Sequence, residues 1–347
     1  MFSREESGHK SAEHSGGETG KCAGPDARKP WHSFDAEMKR RYGGKVYRLS
    51  LSSGCSCPNR DGKKGTGGCS FCSEGGSGEF ASDSRLPIED QIRMAKERLS
   101  AKWKKTPAGY VAYFQSFSNT YGDPAKLEAL YGKVLELPDI LALSIATRPD
   151  CLGPEIMDML RRLNSRKPVW VELGLQTIRD DTARLFQRAY PTEEFVQAVR
   201  KLKESGIEAI VHVMAGLPGE KPEDTLETIR FLAQLQTGHG GIDGIKITLL
   251  YVLKNTLLAA QLEKGELELY PYSEEEYAAF LAEAVSLLPR RIVVHRMTGD
   301  PPRSLLISPG WTTNKKHVLN TIARVFREKG AVQGCHSCCE TDGSLFS

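Results

Sequence analysis

From residue 45 onward the chain switches repeatedly between two hydrophobic periods. KVYRLSLS (45–52) places Val, Tyr and Leu as a strand does, whereas residues 87–104 put Ile88, Ile92, Ala95 and Leu99 on one helical face. A strand YVAYFQSF follows from residue 110, then a helix over 124–137. Strand 140–146 leads to helix 154–163, and strand 169–175 to helix 181–188 and a further helix over 193–204. Strand 208–214 leads to helix 222–235, and 244–253 reads as the sixth strand. Strands alternating with helices of about 10–15 residues predict parallel βαβ units. Six such units suit an α/β fold of the partial (βα)6 TIM-barrel type. Periodicity alone does not separate that barrel from an open doubly wound sheet, so the choice rests on motifs. Either architecture puts chemistry beyond the C-terminal ends of the strands.

The pattern changes after residue 255. A helix over 273–288, a short strand RRIVVHRM around His295 and a last helix over 314–327 predict a short C-terminal α/β extension. Residues 31–42 (WHSFDAEMKRRY) predict a lead-in helix with adjacent Lys39, Arg40 and Arg41. Residues 1–30 have hardly an apolar side chain and cannot repay their ordering entropy, so they read as a disordered tail. The resulting division is tail 1–30, core barrel with its lead-in helix 31–256, extension 257–334 and a cysteine-containing tail 335–347.

Composition excludes several classes. The 347 residues carry 47 basic and 44 acidic side chains, a net charge of +3, so no global field points to a polyanion. No apolar run reaches the roughly 18–20 residues of a membrane span, and the start of the chain has no signal-peptide core, which predicts a cytoplasmic protein. Nine cysteines in that setting point to thiols used as metal ligands or catalysts rather than disulfides.

Three of those thiols dominate one stretch, CSCPNRDGKKGTGGCSFC (55–72), where eleven residues separate Cys57 from Cys69 and two separate Cys69 from Cys72. The stretch is too polar to fold on a core of its own, and closely spaced thiolates suggest what holds it. Three can bind three irons of a [4Fe–4S] cube, leaving the fourth iron open to an outside ligand, of which S-adenosylmethionine is the best known. Gly62, Gly65, Gly67 and Gly68 let the backbone wrap closely, and Phe71 is placed to lie beside an adenine. Zinc is the competing metal. It wants four ligands, which Cys55 would complete, although C-x-C is a less usual half-site than C-x-x-C.

CPNRDG…GTGGCSFC resembles the cluster loop of the bacterial elongator-like radical SAM proteins, the YhcC/YtqA type. The resemblance covers residues 34–334 and continues through YFQSFSNTY (113–121), SIATRPDCL (144–152), VELGLQT (171–177), HVMAGLPGE (212–220), KITLLYVLKNT (246–256) and HRMTGD (295–300). It implies a [4Fe–4S] cluster on Cys57, Cys69 and Cys72, and leaves Cys55 a bystander. It implies S-adenosylmethionine cleaved reductively to a 5′-deoxyadenosyl radical. Gln115 and Ser116 are then expected at the methionine amino group. Arg148 is expected at its carboxylate, or in an ion pair with Glu172. Glu172 and Gln176 are expected at the ribose, and the turn from Gly216 to Gly219 near the adenine. Lys254, His295 and Arg296, with His212, are the candidates for the substrate face. The chain departs from the family pattern at Lys254-Asn255-Thr256, where the family favours Lys-Gly-Thr, and at Thr248 and Tyr251, where relatives carry histidines. These departures put the exact substrate in doubt.

The family's elongator relatives modify the wobble uridine of tRNA. The resemblance therefore implies a tRNA partner and the step from 5-carboxymethylaminomethyl-2-thiouridine to 5-aminomethyl-2-thiouridine, with flavodoxin or ferredoxin as electron donor. Two basic stripes agree modestly: Arg93, Lys96, Arg98, Lys102, Lys104 and Lys105, and Lys315, Lys316, Arg324, Arg327 and Lys329. Trp311 and Tyr251 are candidate base-stacking rings, with core packing as their ordinary role. A radical SAM enzyme acting on a small metabolite or peptide, and a zinc-binding nucleic-acid module without catalysis, are the alternatives. Cys335, Cys338 and Cys339 are expected to form an accessory tail with no required metal.

Overall fold

A computed structural model describes residues 29–76, 81–100 and 106–336 of the chain. The tail assigned to 1–30, with Cys22, falls almost wholly outside the described residues, as do Lys102, Lys104, Lys105, Cys338 and Cys339.

Six strands form as the period-2 runs predict: β1 (Val46–Leu51), β2 (Gly109–Phe114), β3 (Ile140–Thr147), β4 (Val169–Gln176), β5 (Glu208–Ala215) and β6 (Gly244–Leu249). They pair in sequence order, all parallel. The sixth strand is shorter than the apolar run suggests. After Leu249 the chain leaves the sheet, and β7 (Val252–Leu253) pairs antiparallel with β9 (Leu306–Ser308). The run stays apolar because Leu250 and Val252 are buried in a separate cluster with Phe186 and Leu258. The strand near His295, β8 (Val293–Arg296), joins β6 as a seventh parallel strand, so the extension completes the same sheet.

The helices α1 (Phe34–Tyr42), α2 (Ile88–Ser100), α3 (Pro124–Glu136), α4 (Pro154–Asn164), α5 (Asp180–Leu185), α6 (Thr192–Glu204), α7 (Pro222–Gln234), α8 (Leu257–Glu263), α9 (Glu274–Leu287) and α10 (Lys315–Glu328) follow the 3.6-residue patterns. In α4, for example, Ile156, Met159, Leu160 and Leu163 form the buried stripe, and Pro154 opens the first turn, where its missing N–H costs nothing. Helix α5 stops short of its predicted end because Gln187 and Ala189 take positive φ (58° and 63°) around the fully buried Arg188.

Alternation along parallel strands stacks the inward side chains in layers. The lowest layer is apolar: Val46, Val111, Ala142, Trp170 and Ile210 are buried together and sealed by Met38 of α1. Two residues further along each strand stand Arg48, Tyr113, Ser144, Glu172, His212 and Lys246. Two residues further again stand Ser50, Gln115, Ala146, Gly174, Met214 and Thr248. The core between sheet and helices is mainly apolar, with single buried polar residues such as Gln91, Thr228 and Ser286 on the helices. The polar middle layer is the anomaly.

Candidate active site

The cysteine loop leaves the end of β1 and lies across the mouth of the half-barrel. Its fastenings are mostly backbone groups. Ser70 N–H donates to Phe186 O (3.0 Å), Leu258 N–H to Ser70 O (2.8 Å), Ser118 N–H to Ser56 O (3.2 Å) and Cys72 N–H to Cys69 O (2.8 Å). Asn59 Nδ2 donates to Gln187 O (2.7 Å) and approaches Cys69 Sγ at 3.7 Å. Arg60 donates to the carbonyls of Cys72 (3.0 Å) and Ser73. Gly68 holds φ 88°, a left-handed backbone that favours glycine, and a Cβ there would push on the Arg60 side chain that pins the loop.

Beneath the loop lies a cavity of about 300 Å³. Nine predicted site residues line it: Cys57, Cys69, Cys72, Phe71, Gln115, Arg148, Glu172, Gln176 and Arg296, with His212 beside them. Two lining residues, Phe117 (φ 59°) and Gln176 (φ 63°), hold left-handed backbone, which costs about 1–3 kcal/mol each and concentrates at ligand-binding sites. Burial, with the neighbouring Cys72 thiol adding to it, pushes the Cys69 thiol up to about 12, so a bound cation is what would favour its thiolate. Cys55 belongs elsewhere: it packs on the core beneath α3, its Sγ 3.4 Å from where a Cβ on Gly122 would stand.

Five predicted residues do not line the cavity. Ser116 is buried, its carbonyl accepting from Asn119 Nδ2 (3.0 Å). Gly216 and Gly219 form a tight turn at φ 77° and 75°, packed near Tyr272 and Leu185. Lys254 is exposed beyond β7, where only its backbone is engaged, donating to Leu305 O (2.7 Å). His295 is at the opposite end of the barrel from a substrate face. Its ring fills the space above Gly244, stacks near Phe34 (5.0 Å) and receives Arg48 Nη2 at Nδ1 (2.6 Å).

The Arg148–Glu172 ion pair is not formed either. Arg148 makes a two-pronged bond to Asp150 (2.9 and 2.8 Å), donates to Arg188 O (3.0 Å) and lies over the Tyr190 ring at 4.7 Å. Burial alone would raise the Asp150 carboxyl, but Arg148 and then Lys64 (2.6 Å) outweigh it and hold it low. Arg188 fixes this corner through the carbonyls of Leu175 (2.7 Å), Thr177 (2.7 Å) and Tyr190 (3.0 Å).

Glu172 instead pairs with Lys246, accepts from Ser144 Oγ (2.7 Å) and has Arg48 at 3.9 Å. Lys246 Nζ also reaches Tyr113 Oη at 3.1 Å and sits 4.3 Å from the centre of that ring. Burial raises the Glu172 carboxyl, yet the Lys246 and Arg48 charges reverse this and hold it well below the usual range. Burial lowers Lys246 against the opposing pull of Glu172. Burial, with Lys246 next, lowers His212 to about 3, so it is neutral, and its Nε2 meets Thr248 Oγ1 at 3.2 Å. Sequence reasoning missed Lys246, Tyr113 and Arg48. The signal available was period-2 spacing, which puts each of them on the same inward face as a residue already singled out.

The residues matched by the model of the radical SAM superfamily, 59–232, take in the loop from Asn59 onward and the four strands β2 to β5, and the radical SAM C-terminal domain matches 242–328. The YtqA protein of Bacillus subtilis (strain 168) is 40% identical over 306 residues, 88% of this chain and 92% of that protein. YhcC of Escherichia coli (strain K12) is 31% identical over 302 residues, 87% and 93% of the two chains. The chain belongs to the radical SAM superfamily, in the YtqA/YhcC family. Part of it also resembles the tRNA uridine(34) acetyltransferase of Methanocaldococcus jannaschii, at 28% identity over 207 residues, 59% of this chain and 36% of that enzyme. Among solved structures, the archaeal Methanocaldococcus infernus Elp3 shares the fold (TM-score 0.61, 18% identity, 83% of this chain and 64% of that one).

Radical SAM membership makes the chain an enzyme and displaces the zinc-module reading. The donor set agrees with that outcome. Three thiols face one cavity while Cys55, the fourth ligand zinc would need, faces the core. Of the eight described residues in the basic stripes, four are ion-paired. Arg93 meets Asp90 and Glu97, Lys96 meets Asp139, Lys315 meets Asp300, and Arg324 meets Glu275 and Glu328. Trp311 is a packing residue, its indole N–H donating to Tyr272 O at 3.0 Å. No helix among the described residues is long and apolar enough to cross a membrane.

Proposed function

We propose that this radical SAM enzyme acts on the wobble uridine of tRNA, in the step from 5-carboxymethylaminomethyl-2-thiouridine to 5-aminomethyl-2-thiouridine. The observation that carries the reading is the cavity on which the three loop thiols and the strand ends converge, in a chain whose partial relatives include a tRNA uridine(34) acetyltransferase. Cys57, Cys69 and Cys72 would hold a [4Fe–4S] cluster, and Phe71, Gln115, Arg148 and Gln176 line the same cavity where S-adenosylmethionine would lie. Bound together, the two supply a carbon-centred radical able to abstract hydrogen from an unactivated carbon.

This chain's residues do the rest. Arg60 and Asn59 pin the loop, so the three thiols keep their mutual placement. Arg148, locked on Asp150 and backed by Arg188 and Tyr190, presents a fixed positive charge to a carboxylate without needing to reorganise. Phe71, stacked near Phe186 at 5.3 Å, narrows the mouth and keeps water from the reacting carbon. Electrons are expected from a flavodoxin- or ferredoxin-type donor.

The test is a comparison of tRNA nucleosides from a deletion strain and its parent by mass spectrometry. Accumulation of the carboxymethylaminomethyl form with loss of the aminomethyl form is the expected outcome. An unchanged wobble-uridine profile would sink the tRNA reading and favour a small metabolite or peptide.

A further inference from the structure

The middle layer of the barrel has more fixed positive than negative charge. Lys246 (2% exposed) and Arg48 both lean on one carboxylate, Glu172. Arg48 is short of partners: its Nε is buried without a hydrogen bond. His212, which lines the cavity, and His295 beneath it add no negative charge. Arg296, whose backbone pairs in register with Lys246, also lines the cavity. Its Nε donates to Thr298 O (2.5 Å) and its Nη2 to Asp300 (2.9 Å), while among the described residues Nη1 makes no hydrogen bond. Asp300 is itself shared with Lys315 (2.6 and 2.7 Å), so its charge is divided between two cations. Thr248, whose hydroxyl meets His212, lines the same end. That end is separate from the one at Arg148, whose guanidinium is taken up by Asp150, by the Arg188 carbonyl and by the face of Tyr190.

A buried cation without a matching anion is costly, and a cavity lined by donors over such a surplus favours a negatively charged guest. We propose that the end of the cavity formed by Arg296 and Thr248, above the Lys246–Glu172–Arg48 ring, is a carboxylate receptor that selects a substrate bearing an anionic side group. This rests on the tRNA reading only for the identity of the substrate. Arg296 makes the direct contact. Lys246 and Arg48 act from beneath as positioning and field-setting residues. The same field disfavours a cationic amine, so a substituent that loses its carboxylate loses its hold.

The experiment uses the full chain and two anticodon stem-loop RNAs, differing only in that one carries 5-carboxymethylaminomethyluridine and the other its carboxamide. The expected result is at least about tenfold tighter binding of the carboxylate RNA, the size of one charge-assisted hydrogen bond. Arg296→Gln should bring the ratio to unity without weakening the carboxamide RNA, and Arg296→Lys should restore part of it. Equal affinities in the wild type, or a preference that survives Arg296→Gln, would overturn the receptor. A second arm removes the RNA. N-acetylglycinate, but not N-acetylglycinamide, should saturably shift an arginine Nε–H resonance that is missing from Arg296→Gln. That shift with no binding of either RNA upholds the receptor and sinks the tRNA reading, and absence of the shift together with no discrimination between the RNAs overturns the receptor. A third arm compares S-adenosylmethionine with its decarboxylated analogue. If Arg296→Gln erases that preference and leaves the RNA preference intact, the site belongs to the cofactor and the proposal fails.

Discussion

The loop at the mouth and the ring inside the barrel are built by opposite means. The loop is held mainly by backbone groups and by side chains that reach backbone carbonyls, Asn59 and Arg60, with Lys64 on Asp150 and Asp61 on Tyr121 as its outer ties. The ring is held by side chains alone, with one carboxylate serving Lys246, Ser144 and, at longer range, Arg48. A backbone-tied loop depends little on which side chains point inward, so its thiols are free to serve a ligand. A ring of shared charges tolerates no single deletion, because each group removed strands another.

The contrast breaks most sharply at the thiols. Replacing Cys57, Cys69 or Cys72 by Ala should abolish cluster content, measured as iron and sulfide per chain after anaerobic reconstitution, while the circular dichroism of the fold stays unchanged. Cys55→Ser should keep full iron content, and a loss there would make Cys55 a ligand after all. In the ring the expected cost is stability rather than cofactor. Lys246→Met should lower unfolding free energy by about 3–5 kcal/mol in urea titrations by stranding Glu172, and Lys246→Met with Glu172→Gln should recover much of it. Equal losses in the single and double variants would mean that the pair is not coupled. The smallest effect is a pH dependence. His212 is lowered to about 3 from an ordinary 6.5, so below pH 6.5 the unfolded chain binds the extra proton and the fold loses stability as pH falls. By about pH 5 this amounts to roughly 2 kcal/mol. His212→Gln should remove that part of the acid slope, leaving the part due to carboxylates held low, such as Asp150.

This difference in construction also decides what could be read from the sequence. Cys57, Cys69 and Cys72 declare themselves because their chemistry is local: sixteen positions hold all three, and spacing is information. Arg148 could be picked out at its strand end, but its partner could not, since Asp150 two residues away competes with Glu172 across the sheet and wins by geometry. The Lys246–Glu172 pair joins residues 74 apart, and nothing in either neighbourhood names the other. His295 was misplaced for a related reason. A histidine at the end of a motif looks functional, whereas β8 begins lower in the barrel than the motif order suggests and sets the ring above Gly244. The strand–helix alternation gave six of the seven strands of the sheet, and the seventh was legible as a strand but not as part of it.

One modest feature at the start of the described chain bears on how this half-barrel lives in solution. A half-barrel has two free borders, and an unpaired strand border is a template for a stranger's backbone. Here Val294 N–H donates to His32 O (2.8 Å), Ser33 bridges to Val294 in parallel, and Gln333 reaches the carbonyls of Pro289 and Ile292 (both 2.8 Å). The lead-in segment and the segment after α10 thus act as a selvedge along β8. They occupy the border that would otherwise invite fraying or a second copy, and they leave the open side of the barrel for the substrate.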